Sequence, residues 1–385
     1  SLIGADSSLT IIDPPGDTTI TTLYGIYADT QTNLTIKNLR VTGAYYGIYF
    51  VNADLSIFDN ITVDSCGGGN FGSFHLLDSD SNIVKNCNIS NHWNRGLYAI
   101  NSHNNLICNN LFSQTKNAGI YLGHSYYNTV ANNNFLNNYA WGCYLTNCTG
   151  SIISGNIISG NTNHGLYINY GSNITVTDNI SSNNRYSGIC IGYSSGCQVM
   201  RNTVSNSSDV THGYGIRILT SSNLIFTQNT VDSNATYGFN IEGISSNCTF
   251  TMNNWNASPT NPDSAVYVAT DTFFNFSNNY WSTTDSNTIK SKIIGNGANY
   301  SPFRTTIIDT SLNADTIAPS PPSGVSVSAG IGCCTVVWNA VTQDENGGAL
   351  TGLNGYKVYR YTQPDTNNWG ACLIATQTAA NRSEE

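Results

Sequence analysis

Glu242 is the one glutamate in the first 313 residues, and Arg217 and His212 precede it on neighbouring stretches of chain. A carboxylate beside a guanidinium and an imidazole is a set that can act on an acidic sugar. In that reading Glu242 is a base or hydrogen-bond acceptor, Arg217 pairs the sugar carboxylate and His212 stands beside them. The same residues also make a plain surface ion pair. A second set is aromatic. Tyr27, Tyr49, Tyr98, Tyr121, Tyr144 and Tyr167 each follow an apolar residue that itself follows a glycine, His75 fills the gap, and Cys190, Arg217, Asn240 and Tyr267 continue the series. Rings placed so regularly offer flat faces with hydroxyl edges to sugar rings or to a protein partner; alternatively they stack on one another across strands.

The elements that must position these side chains follow from an internal period. A glycine followed by an apolar-x-apolar triplet recurs at Gly25, Gly47, Gly72, Gly96, Gly119, Gly142, Gly165, Gly188, Gly215 and Gly238, with Ala265 in the eleventh place. The alternation over three to five residues is strand periodicity, and no segment carries helical spacing. A unit of two or three short strands cannot bury its own apolar side chains, so the units must stack, with equivalent residues about 4.8 Å apart. Ile26, Ile48, Leu97, Ile120, Leu166, Ile189, Ile216 and Phe239 then form one inward column, and Ile107, Val130, Ile153, Val176, Val199 and Phe226 another.

A second signature recurs inside the unit: apolar, two others, Asn, one other, then usually apolar. It places Asn60, Asn110, Asn133, Asn156, Asn179, Asn202, Asn229, Asn253 and Asn279 at one turn of successive rungs, with Cys87 breaking the series. A buried amide is costly unless its donors and acceptor are satisfied, and a column of identical amides can satisfy itself. These nine are therefore expected to be a structural ladder. Asn60 and Asn179 lie in glycosylation sequons but are expected to face inward and stay unmodified. Asn33, Asn88, Asn147, Asn206, Asn234 and Asn275 are the glycosylation candidates.

Charged residues are 10% of the chain and the net charge is −9, which disfavours a nucleic-acid partner. No apolar run is long enough to span a bilayer and no leader marks the N-terminus, so Ser1 reads as a processed or cut end. Eleven cysteines fit no zinc spacing. Buried thiols are one reading and one or two disulfides the other. The sequons point to an extracellular or cell-surface location.

Together these features resemble the right-handed parallel β-helix repeat superfamily that includes pectate lyases, polygalacturonases and NosD-like carbohydrate-binding and sugar-hydrolase proteins. Leu2-Ile3-Gly4-Ala5-Asp6-Ser7 with Ile11-Ile12-Asp13 looks like an early rung of such proteins. Asn279-Tyr280-Trp281 through Ile289, Ile293 and Tyr300-Ser301-Pro302-Phe303 looks like their closing segment. The resemblance implies an all-β solenoid of about eleven rungs over residues 1–313. Pro319, Pro321 and Pro322 mark a stiff linker at 314–322. Beyond it, Val325-x-Val327, Val336-Val337-Trp338 and Gly355 to Arg360 resemble the first strands of a fibronectin type III domain over 323–385, with Trp338 in its core. That β-sandwich is expected to be incomplete, because it stops short of the ~100 residues usual for the fold.

The family's enzymes require more than this chain shows. Hydrolysis of the polygalacturonase kind implies paired carboxylates, and no such pair neighbours His212-Gly213. Elimination of the pectate-lyase kind implies an acidic calcium site near a base, for which Asp54, Asp59, Asp64, Asp78, Asp80 and Arg95 are the candidates. A copper role lacks ligands at matching rung positions. The expectation is therefore a non-catalytic surface or matrix rod acting in glycan binding, adhesion or self-assembly as a homo-oligomer or filament, with no metal and no cofactor. The competing expectation is a secreted lyase or glycoside hydrolase acting on an acidic polysaccharide, with calcium if it is lyase-like.

Overall fold

The computed structural model describes residues 1–14, 23–66, 72–255, 265–269, 272–295, 298–310, 321–329, 334–339, 341–343, 355–359, 373–378 and 383–384. The chain divides into two compact units, Ser1–Leu312 and Asn313–Glu385. In the first, the fifth rung shows the plan. Ile120–Gly123 forms one strand, Thr129–Ala131 a second and Asn134–Leu136 a third. Each pairs in parallel with its counterpart in the next rung, as in Ile120 with Cys143, Val130 with Ile153 and Phe135 with Ile158. The result is a right-handed parallel β-solenoid of about eleven turns.

One face is a twelve-stranded parallel sheet running from Tyr24–Asp29 to Ile293–Gly295. We call it the glycine face, since ten of its strands begin at or next to a recurring glycine. The physical reason for the glycine is local crowding. A Cβ on Gly119 would lie 2.7 Å from the carbonyl oxygen of Gly142, and one on Gly142 would lie 2.8 Å from that of Gly165. The backbones approach closely there and leave little room for a side chain, and the third and eleventh rungs hold the small Ser73 and Ala265 in that place.

The corners between strands follow one rule. A residue with φ near +50° turns the chain, and the next residue points inward. In the fifth rung the pairs are His124–Ser125, Tyr127–Asn128, Asn132–Asn133 and Asn137–Asn138, with turning φ of 49°, 55°, 55° and 55°. Asn tolerates this conformation better than most residues, which accounts for part of its abundance.

The inward corner residues stack as polar columns. Asn133 donates from Nδ2 to Oδ1 of Asn156 at 3.1 Å and to the carbonyl of Ile107 at 2.9 Å, while its backbone N–H also donates to Asn156 Oδ1 at 2.8 Å. The same pattern links Asn110, Asn133, Asn156, Asn179, Asn202, Asn229, Asn253 and Asn279. Asn60 is not among them. It is exposed, has φ of 55° and bonds the half-buried Asn38. The inward place on that rung belongs to Ile61, next to Leu39 in register. The apolar residue chosen to start the pattern there, Ile57, is half-buried, while Phe58 is the buried one. A one-residue slip in a strand moves every side chain to the other face, so the expectation that Asn60 faces inward is corrected.

Two further ladders lie at other corners. Thr115, Asn138, Asn161 and Asn184 form one. In the other, Asn82, Asn105 and Asn128 are linked by backbone N–H groups donating to side-chain Oδ1. Serines fill the remaining corner, as in Ser79, Ser102 and Ser125. The eight cysteines of the first unit are unpaired thiols, and all but Cys108 are buried. Among these, Cys148 bonds the carbonyls of Leu122 and Thr146 in the manner of Ser125 one rung earlier.

The C-terminal end of the solenoid is filled by aromatic rings, including Trp255 and Trp281 at 4.5 Å. A six-residue helix, Ser286–Ser291, follows, capped by Asp285. It is an exception to the strands-only expectation and lies outside the repeats.

In the second unit, Ser326–Ala329 pairs antiparallel with Cys334–Val337, and that strand with Ser383–Glu384. Gly355–Tyr359 pairs antiparallel with Leu373–Thr378. Trp338 is buried. Most of this unit and residues 314–320 of the linker lie outside the described residues, and so does the fibronectin-like expectation.

Candidate functional site

The outward side of the glycine face carries the aromatic file. Tyr27, Tyr49, His75, Tyr98, Tyr121, Tyr144 and Tyr167 are in direct register, followed by Cys190, Arg217, Asn240 and Tyr267. Ring centroids are 6.0 Å apart for Tyr27–Tyr49, 5.2 Å for Tyr98–Tyr121 and 4.9 Å for Tyr144–Tyr167, all near-parallel. Only Tyr121–Tyr144 is edge-on, at 5.1 Å. The flat faces expected to meet sugar are therefore largely occupied by one another. What remains open along the file is ring edge and hydroxyl, most fully at the half-exposed Tyr27. Burial raises the phenol pKa values of Tyr49, Tyr98 and Tyr121, so these hydroxyls stay protonated and able to donate.

A second file, missed in the sequence, occupies the position just before each glycine. It includes Tyr24, Tyr46, Arg95, Trp141, His164, Tyr214 and Tyr237. Trp141 lies 4.9 Å from Tyr144 and His164 lies 5.4 Å from Tyr167. The Arg95 guanidinium sits 4.5 Å over the Tyr121 ring. The available signal was the fixed offset from the glycine, which holds for aromatic and polar residues alike.

Of the three residues proposed for acid-base work, two come together. Arg217 Nη2 lies 2.6 Å from Glu242 Oε2, and Asn240 Nδ2 donates to Glu242 Oε1. Both carboxylate oxygens are thus engaged, and the anion beside Arg217 is the protein's own. The pKa of Arg217 is raised: desolvation pulls it down, but the bond and charge of Glu242 together with the nearby Cys190 and Tyr214 outweigh that. His212 belongs to a separate turn. Its Nδ1 is 2.8 Å from Thr211 Oγ1, and its ring packs 5.7 Å from Tyr186. Extra residues at 207–213 form that turn, and those near 257–264 lie outside the described residues.

The aspartates proposed for calcium do not converge. Asp59 pairs with Lys37 and Lys85, and Asp64 with Arg40. Asp54 accepts from the backbone of Asp80, Asp80 from that of His103, and Asp78 from Asn101. Arg95 lies instead against Tyr98 and Tyr121. Among the described residues no three His, Cys, Asp or Glu side chains gather as a metal set requires. Asp178 and Arg201 form a two-bond pair at 2.8 and 2.9 Å.

Among the sequons, Asn33, Asn206 and Asn275 are exposed and Asn88 and Asn147 are half-buried. Asn179 is buried in the ladder. Asn234 is also buried, with Nδ2 donating to Asp232 O at 2.9 Å and Oδ1 accepting from Ser207 N. It is withdrawn as a glycosylation candidate because the inward corner holds its amide.

A family model described as right handed beta helix region matches residues 24–179 and again 128–281. No curated protein sequence matches the chain. The mannuronan C-5 epimerase AlgE6 A-module of Azotobacter vinelandii has a similar structure, with 14% identity, a TM-score of 0.51 and coverage of 70% of this chain and 90% of that one. The surface adhesin PfbA of Streptococcus pneumoniae gives 14%, 0.49, 69% and 75%. The periplasmic alginate epimerase AlgG gives 16%, 0.48, 72% and 73%. At these identities the likeness is one of fold. No helix among the described residues is long and apolar enough to cross a membrane.

Proposed function

Because the chain belongs to the right handed beta helix family, we propose that it is a non-catalytic, extracellular or cell-surface rod that binds glycan along its glycine face. The observation that carries this reading is the in-register tyrosine file, a rigid row of hydroxyl edges repeating once per rung. Fixed, evenly spaced hydroxyls suit the repeating hydroxyls of a polysaccharide, and they are held by stacking that precedes any ligand. The absence of catalysis is supported by Glu242, whose two oxygens are already bonded to Arg217 and Asn240.

The test is retention of the full chain in affinity gels containing polysaccharides, beside a Tyr98→Phe, Tyr121→Phe, Tyr144→Phe triple variant. Losing three hydroxyls while keeping three rings should abolish retention and leave thermal unfolding unchanged. Unaltered retention sinks the hydroxyl-edge reading. Release of sugar products that disappears in Glu242→Gln would replace binding by catalysis. A mass that grows with concentration and falls in the triple variant would replace glycan by a second copy of the chain.

A further inference from the structure

Beside the glycine face, at the corner that precedes it, lies a cleft of roughly 680 Å³, a size typical of small-ligand sites. One row of its lining is Trp93, Lys116, Tyr139 and Thr162, the same position on four successive rungs. Their register is set by backbone bonds from Lys116 N to His92 O, Tyr139 N to Thr115 O and Thr162 N to Asn138 O. Four rungs make a trough about 14 Å long at the spacing of paired strands. Along its side run the turning residues Asn91, Gln114, Asn137 and Gly160, with φ of 59°, 54°, 55° and 70°.

Two features distinguish this trough from the tyrosine file. The indole of Trp93 is 73% exposed and Tyr139 is 55% exposed, so ring surface is open here whereas the file spends it on stacking. Lys116 holds its ammonium 3.9 Å over the Tyr139 ring, and no carboxylate lines the trough among the described residues, in a chain of net charge −9.

We propose that the trough binds a segment of anionic saccharide, carboxylated or sulfated. Pyranose faces lie on Trp93 and Tyr139, and an acidic group meets Lys116. Exposed aromatic surface supplies the apolar contact, and a lone cation in an acidic protein supplies the charge preference. This deepens the glycan-binding reading and rests on it, but uses different side chains.

The experiment is isothermal titration of the full chain with polygalacturonate, heparin and dextran, repeated for Trp93→Ala, Lys116→Gln and Lys116→Arg. Both positions carry exposed side chains, and circular dichroism melts check that folding is kept. The wild type should bind polygalacturonate or heparin and prefer it to dextran. Trp93→Ala should weaken that binding about tenfold or more, a loss typical of an anchoring aromatic. Lys116→Gln should erase the preference for the anionic polymer, and Lys116→Arg should retain it. Binding of polygalacturonate shows that carboxylate suffices, and binding of heparin, which carries both groups, without binding of polygalacturonate shows that sulfate is required. Glycan binding that ignores Trp93 and Lys116 yet fails in the tyrosine triple variant overturns this site and leaves the functional reading standing. No glycan binding at all overturns both.

Discussion

A buried amide is an expense at a single position and a gain when repeated, because each Asn supplies the acceptor that its neighbour's two donors need. Asn156 Oδ1 receives both the backbone N–H and Nδ2 of Asn133. Truncating it leaves two buried donors of Asn133 unmet, and a buried unsatisfied group costs about 1–3 kcal/mol. Asn156→Ala should therefore destabilise the protein by about 3 kcal/mol. Asn60→Ala, which removes an exposed side chain bonded to Asn38, should stay within about 0.5 kcal/mol of wild type. Urea unfolding of the two variants distinguishes a true ladder member from its outward look-alike, and equal effects would refute the ladder energetics. The residue scale is also where sequence reading was least secure. Asn60 and Asn110 carry the same local pattern, yet the parity of the surrounding strand decides which way each points.

At the scale of the element, the recurring glycines are set by what the next rung's backbone leaves free. A Cβ at Gly142 would meet the Gly165 carbonyl at 2.8 Å and the Ile158 side chain at 2.6 Å. Ile158 can shift, but a sheet carbonyl paired above and below has little room, and overpacking of this kind costs about 1–3 kcal/mol. Gly142→Ala should lower the unfolding midpoint accordingly; a neutral result would show that the rungs part more easily than their pairing implies. Strand identity and most of the register were legible from the period, since glycine offset and alternation together assign most residues to a face; the third rung departs, with Ser73 rather than Gly72 opposite Gly47, as does the slipped strand of Asn60. The partnering of outward side chains was not. Whether Tyr144 lies on Tyr167 or stands open to solvent depends on side-chain torsions that no spacing encodes.

At the scale of the molecule, stacking makes buried titratable groups in separate rungs act on one cooperative unit. Burial pushes the imidazole pKa values of His75 and His92 down to about 4, and that of His164 to about 3, from an ordinary value near 6.5. Below about pH 6.5 the unfolded chain takes up protons that the folded chain refuses, so stability is full above that pH and falls as pH drops toward 4. Each unit of pKa displacement corresponds to about 1.4 kcal/mol, which makes these three sites the main source of a decline between pH 6.5 and 4.5. The lowered carboxylates, Asp59 and Asp178 among them, add their own loss only as pH falls to about 4 and below. Unfolding free energies measured across this window should decline, and His164→Gln should flatten the decline; a level profile would show that the imidazoles are not desolvated.

The sequence by itself determined the solenoid, its rung boundaries, its inward apolar columns and the register of the tyrosine file. These depend only on period and parity, which a linear text preserves when equivalent residues must stack. Tertiary structure decided the rest. It turned the tyrosine faces onto one another, tied Glu242 to Arg217, removed His212 to its own turn and set Trp93, Lys116 and Tyr139 along one open trough. Those outcomes depend on side-chain orientation and on which corner each position occupies around the coil, and both are fixed only when the rungs above and below are in place.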